Sequence, residues 1–232
     1  GNRYKTGNMV FFILGNIPFR KVTDTIGKLT RDVTAHTAPV GGRTSPLPYV
    51  PRDLILSRDT HQSHVMIGTR AYDAHNSRRT GLYLLNNILG GPGMNSRLNV
   101  VLREKNALVY NVESNLTSYT DTGVFSIYFG CDQEDRDRCI ELTRKELKKL
   151  RDNLMKESQL SAAKKQIIGQ LGVASDNFEN CALDMGKCFL HYNRYEEKEE
   201  VYKRIESITS KELLEISNEI FSEERLSTLI YE

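Results

Sequence analysis

The spacing of apolar positions changes several times along this chain, and each change marks a different kind of element. Residues 9–14 (Met-Val-Phe-Phe-Ile-Leu) are apolar without a break and end on Gly15 and Asn16. So short a continuous run reads as a buried strand. Pro18 suits the first turn of a helix, and Val22, Ile26 and Leu29 then recur at helical spacing. Over 33–51 the pattern collapses around Pro39, Gly41, Gly42, Pro46, Pro48 and Pro51, which predicts a long extended connection. Connections of that length wrap a surface or serve function. Strands are expected at 54–58 and 63–71, the second with Val65, Ile67 and Thr69 alternating against His64, Met66 and Gly68.

Leu82, Leu85, Ile88 and Leu89 mark a helix stopped by Gly90 and Gly91, the usual helix-ending residue. A second helix is expected at 95–104, with Leu98, Val101 and Leu102 inward. Tyr110, Val112 and Leu116 alternate with Asn111, Glu113 and Asn115; beyond the Thr120-Asp121-Thr122-Gly123 turn come Phe125, Ile127 and Phe129. This is the clearest hairpin in the chain. From 134 to 221 the period is helical throughout. Ile140, Leu147, Leu150 and Leu154 form one stripe, and Leu160, Ala163, Ile167 and Leu171 another. Thr209 with Glu212 makes a capping box, and 226–231 closes as a strand. Helices clustered against a largely antiparallel sheet make an α+β fold, expected as a single domain over 1–232 with no internal repeat or linker.

Composition narrows the function classes. With 32 basic and 30 acidic side chains the net charge is +2, which argues against a dedicated nucleic-acid binder. The run at 9–14 is far short of the ~20 residues of a spanning helix, so no membrane partner is expected, and no signal-peptide pattern is visible. The four cysteines, at 131, 139, 181 and 188, lack the close pairs of structural zinc sites. Cys181 and Cys188 stand among Ala182, Leu183 and Met185, where a free thiol behaves as a small apolar group. Reduced thiols and a cytoplasmic setting are expected.

The histidines, at 36, 61, 64, 75 and 191, form neither HExxH nor HxxEH. His61 and His64, read within one strand, face opposite sides and cannot share a metal. No metal or other cofactor is therefore expected in this chain. No GxSxG nucleophile elbow occurs. The loop from Gly90 to Arg97 precedes a helix, but it lacks the Lys-Ser/Thr of a phosphate-binding loop. A tight turn capped by Asn95 or Ser96 accounts for it better than a nucleotide site. Residues 102–110 (LREKNALVY) place Arg103 and Tyr110 seven apart across a helix end and a strand start. Taken alone, a basic residue at a helix C-terminus and a tyrosine in a strand decide nothing.

The ordered elements NNILGGPGMNSRL (86–98), LREKNALVY (102–110) and SYTDTGVFSIYFG (118–130) resemble the pitrilysin/insulinase family of zinc metallopeptidases, which includes the mitochondrial processing peptidases. The opening MVFFILGNIPFRKVTDTIGKL (9–29) is similar to the start of that family's second half. The resemblance covers about 9–231. It departs in Ala107, where glycine is usual, and in Pro92 within the glycine loop.

That resemblance implies a metal-free half without proteolytic activity of its own. It would pair with a homologous zinc-bearing half, in the same polypeptide or as a separate subunit, around a peptide substrate. Arg103 and Tyr110 match the family's substrate-binding pair, Tyr110 stabilising the oxyanion and Arg103 holding a substrate carbonyl or carboxylate. Gly90, Gly91, Gly93, Ser96 and Arg97 form the loop expected to face the partner half or substrate. The alternative implied is a structural or assembly subunit of the same fold with no proteolytic role.

Overall fold

Alternation along 63–71 is matched in space. The computed structural model describes residues 6–34, 36, 46–58 and 60–232. Its five strands are β1 (Asp53–Leu56), β2 (Ser63–Ala71), β3 (Val109–Ser118), β4 (Gly123–Cys131) and β5 (Ser227–Tyr231). They form one sheet in the order β1-β5-β2-β4-β3. β1 and β5 run parallel and the other neighbours antiparallel, so β1 and β3 are the two edges. The helices are α1 (Phe19–Leu29), α2 (Arg79–Gly90), α3 (Arg136–Asp152), α4 (Glu157–Ala174), α5 (Phe178–Tyr192), α6 (Lys198–Ser207) and α7 (Ser210–Ile220). The α+β class is as expected.

The chain divides into two compact units, a larger one of Ser45–Ile168 with Tyr202–Glu232 and a smaller one of Gly1–Thr44 with Gly169–Val201. In the larger unit Val65, Ile67, Phe125, Ile127 and Phe129 are fully buried. They share one sheet face by parity, and α2 and α7 pack with the sheet and with each other. The Phe125 and Phe221 rings lie 4.9 Å apart, centroid to centroid, within the range where aromatic pairs attract. The Thr209 hydroxyl accepts the Glu212 backbone N–H at 3.1 Å, as its place before α7 predicts.

Four local expectations fail. Residues 9–14 form no strand and are exposed: Phe11 is 67% and Ile13 52% accessible. Leu154 falls beyond the end of α3 and is exposed. His61 lies in a bend before β2, not within the strand. Tyr110, read as inward beside Val112, points out. A β-bulge between Val109 and Val112 inserts one extra residue into β3, which breaks the two-residue parity. Of the connection expected at 33–51, residues 35 and 37–45 lie outside those described, and 46–50 have no regular structure.

Candidate functional site

The segment carrying Arg103 is shaped by an over-long helical turn. From Asn99 to Glu104 the backbone is π-helical, with the Lys105 N–H reaching back five residues to the Val100 carbonyl at 3.0 Å. Such turns hold one residue more than an α-helix and recur at functional sites. The turn stops at Ala107, whose φ of 52° is left-handed. Ala107 N–H donates to the Arg103 carbonyl and Leu108 N–H to that of Leu102, both at 2.9 Å. The Asn106 amide closes the Val101 carbonyl at 2.7 Å. A residue with a Cβ is strained in that conformation by roughly 1–2 kcal/mol, which is the physical reason glycine suits the position better.

Arg103 is part-exposed. Its Nη1 lies 3.6 Å from Met94 Sδ and its Nε 3.6 Å from a Glu104 carboxylate oxygen, a loose pairing that leaves the guanidinium available. Tyr110 is 90% accessible, while its neighbours Val109 and Val112 are buried. The bulge thus turns the ring of an otherwise inward strand to solvent.

The glycine loop begins with a close approach. A Cβ on Gly90 would stand 2.8 Å from Ser114 N and Oγ, so only glycine lets the end of α2 reach β3. Ser114 Oγ then donates to the Asn86 carbonyl at 3.0 Å. Gly90 and Gly91 are buried and Gly93 half-buried. Ser96 is buried too, and its Oγ accepts from the Asn99 amide at 2.8 Å. The Asn95 amide donates to Gln166 Oε1 at 2.8 Å. Burial lowers the proton affinity of the Arg97 guanidinium, and Glu146 opposes that.

Five of the seven predicted residues divide between two cavities, and Gly93 and Tyr110 line neither. Ser96 and Arg97 line one of about 270 Å³ with Asn95, Gln159 and Gln166. Gly90, Gly91 and Arg103 line another of about 410 Å³, with Asn86, Asn87 and every residue from 111 to 116. Successive side chains of a strand point to opposite faces, so a cavity touching six in a row runs along the β3 edge, where main-chain groups are presented. Asn86, buried with an Oδ1 that has no hydrogen-bond partner, was not singled out from sequence. Two adjacent amides inside the apolar stretch Leu84-Leu85-Asn86-Asn87-Ile88-Leu89 were the available signal. Amides, an edge strand and a guanidinium together can hydrogen-bond an extended main chain.

The described residues do not fit a metal: no group of three or more His, Cys, Asp or Glu side chains could hold one. His64 Nδ1 is instead 2.8 Å from the Tyr128 hydroxyl. All four cysteines are free thiols. Cys139 is pushed well above the usual thiol range by its hydrogen bond to Cys131 and by burial. Cys188 Sγ lies 3.5 Å from the Arg194 carbonyl. No described helix is long and apolar enough to cross a membrane.

Known proteins share this architecture. The chain is similar to a zinc protease of Rickettsia bellii, described as uncharacterized, at 26% identity over 230 residues, covering 99% of this chain and 55% of that protein. Among solved structures, an M16 peptidase inactive domain from Pseudomonas fluorescens superposes with a TM-score of 0.80 at 17% identity, covering 91% of this chain and 51% of that one. A Helicobacter pylori protease superposes at 0.81 and 17% identity, over 94% and 54%. The chain spans about half the length of the curated relatives it matches. The family model for the peptidase M16 inactive domain matches residues 2–167, well over half of the sequence, and the chain belongs to that family.

Proposed function

We propose that this chain is the metal-free half of a two-half zinc peptidase and presents Arg103 and Tyr110 to a peptide held at a zinc site on its partner. The observation that carries the reading is Tyr110: a phenol 90% accessible, turned outward by a bulge in a strand whose other bulky residues pack inward. A ring so placed contributes little to the fold. Its hydroxyl is free to donate a hydrogen bond to the oxygen that gains charge as a scissile carbonyl is attacked. Arg103, which lines the cavity along β3, suits a substrate carbonyl or carboxylate, since its planar fork binds both. The zinc belongs to the partner half, from the same polypeptide or a separate subunit, and this chain alone is expected to be inactive.

Steady-state kinetics on the two-half protein test this. Tyr110→Phe removes one donor and should lower kcat by about 10²–10³-fold, while the melting curve stays within about 0.5 kcal/mol. Arg103→Lys keeps the charge but loses the fork, and should raise KM. Unchanged turnover in Tyr110→Phe would leave the non-proteolytic structural subunit as the better reading.

A further inference from the structure

Half-buried arginines of the larger unit reach acids. Arg136 meets Glu232, and Arg144 and Arg151 meet Glu223 at 3.2 and 3.4 Å. Arg97 does not. It is half-buried too, yet among the described residues its guanidinium takes part in no hydrogen bond or ion pair. Glu146 attracts it, but that carboxylate is buried, is held by Lys149 Nζ at 2.5 Å and does not line the cavity. Sinking a charge without a partner is costly. The residues on either side fix its place: Ser96 is buried and bonded to Asn99, and Leu98 is fully buried.

The cavity of about 270 Å³ that Arg97 lines comes wholly from the larger unit. Among the described residues, Arg97 is the only charged member of its wall. The polar members are amides and a hydroxyl, while Ile88, Met155, Ala162 and Ala163 add apolar surface. One side is tied shut. The Asn95 amide donates to Gln166 Oε1 at 2.8 Å, and Gln166 Nε2 returns a longer bond to Asn95 Oδ1 at 3.4 Å. That pair joins the glycine loop to α4. A Cβ on Gly93 would stand 2.5 Å from Asn95 Oδ1 and 2.8 Å from Gln166 Nε2, so the pair closes only over glycine.

We infer that this cavity is a carboxylate site, taking one carboxylate on a short aliphatic stem: an acidic side chain of a peptide segment or a free short acid. A planar guanidinium matches a planar carboxylate through two parallel hydrogen bonds. A single cation, with the Glu146 carboxylate acting on it, suits one negative charge and disfavours a phosphate dianion. The apolar part of the wall covers the stem. The volume lies below the ~300–1,000 Å³ of pockets for drug-sized ligands, which fits an occupant of a few heavy atoms. The inference needs neither zinc nor any catalytic role for Arg103 and Tyr110.

The test is titration of the 232-residue chain, followed by the Arg97 Nε–H cross-peak in proton–nitrogen NMR. The probes are sodium butyrate, N-acetyl-glutamate N-methylamide, the glutamine counterpart of the latter, and inorganic phosphate. Both carboxylates should move the cross-peak saturably and bind at least about 10-fold more tightly than the glutamine probe, the margin of a hydrogen bond to a charged group. Tighter binding of the capped glutamate than of butyrate assigns the site to a peptide's acidic side chain, and the reverse assigns it to a free acid. A glutamine probe that binds equally well would overturn the inference. So would phosphate binding as tightly as either acid at the same ionic strength, or a cross-peak that no acid moves. Arg97→Gln should weaken butyrate binding about 10-fold or more and leave the melting temperature unchanged, since no partner is lost. Arg97→Lys keeps the charge without the fork and should fall between the two. Undiminished binding by Arg97→Gln would put the acid elsewhere and overturn the inference; if that variant does not fold, the cross-peak of the native chain decides alone.

Discussion

The two units use apolar residues in opposite ways. In the larger one, α2 buries eight of its residues, among them Leu82, Leu84, Leu85 and Leu89, against β3 and α7. In the smaller one, neither α1 nor α5 buries any, and Phe19, Leu29, Phe178 and Leu183 are all more than half accessible. Both sets of helices carry apolar residues at helical spacing. What differs is the sheet: the larger unit has one to pack against, and no strand of the smaller unit lies among the described residues. An amphipathic stripe states a need for burial, and only a matching surface satisfies it.

This contrast can be broken by experiment on the 232-residue chain. Phe125→Ala removes a fully buried ring and should cost about 3–5 kcal/mol in a urea melt. Phe11→Ala should cost less than about 0.5 kcal/mol. Similar losses would show that the run at 9–14 is packed in this chain after all. Glycines give a smaller effect of opposite sign. A Cβ on Gly123 would overlap the Tyr72 carbonyl oxygen, so Gly123→Ala should destabilise by about 1–3 kcal/mol. Gly27, inside α1, has nothing around it, so Gly27→Ala should strengthen that helix by about 0.5–1 kcal/mol. That gain should appear as slower amide exchange in α1 and leave the main melt unmoved. The helix caps are the finest probe. The Thr209 hydroxyl and the Asn177 amide oxygen each accept a backbone N–H at 3.1 Å. Thr209→Ala should lower global stability by about 1 kcal/mol, whereas Asn177→Ala should fray α5 alone, measured by exchange. A global loss from Asn177→Ala would mean the units melt as one.

Legibility from sequence follows the same divide. The hairpin of β3 and β4 and the helices α3 and α7 were readable because their partners lie in this chain and repeat at fixed periods. The strand at 9–14 was not, because its pattern states what it would bury but not whether the partner is present. Arg103 and the glycine loop were legible as motifs. The splitting of that loop between two cavities was not, since Gln159 and Gln166 come from α4 and the residues of β3 from another part of the chain. Tyr110 failed in orientation for a single reason. A parity argument survives only while the strand has no inserted residue, and nothing in Val109-Tyr110-Asn111-Val112 announces the bulge. Asn86 shows the converse: a polar residue on an apolar helix face was visible, but the cavity beside it needed the fold.

The π turn over Asn99–Glu104 makes the direction of the Arg103 guanidinium a matter of counting. Each residue added to or taken from a helix turns everything beyond it by roughly 100°. Between Leu98, anchored in the core, and the left-handed stop at Ala107, it is the number of residues, more than their kind, that sets where Arg103 points. Point substitutions at Val100 or Val101 would leave that bearing intact. Losing a single codon in the same stretch would let the backbone relax to an ordinary α-helix and swing the arginine away from the β3 edge, with no core residue lost. In this segment a frame-preserving deletion is the more damaging kind of change, and a scan by substitution alone would pass over it.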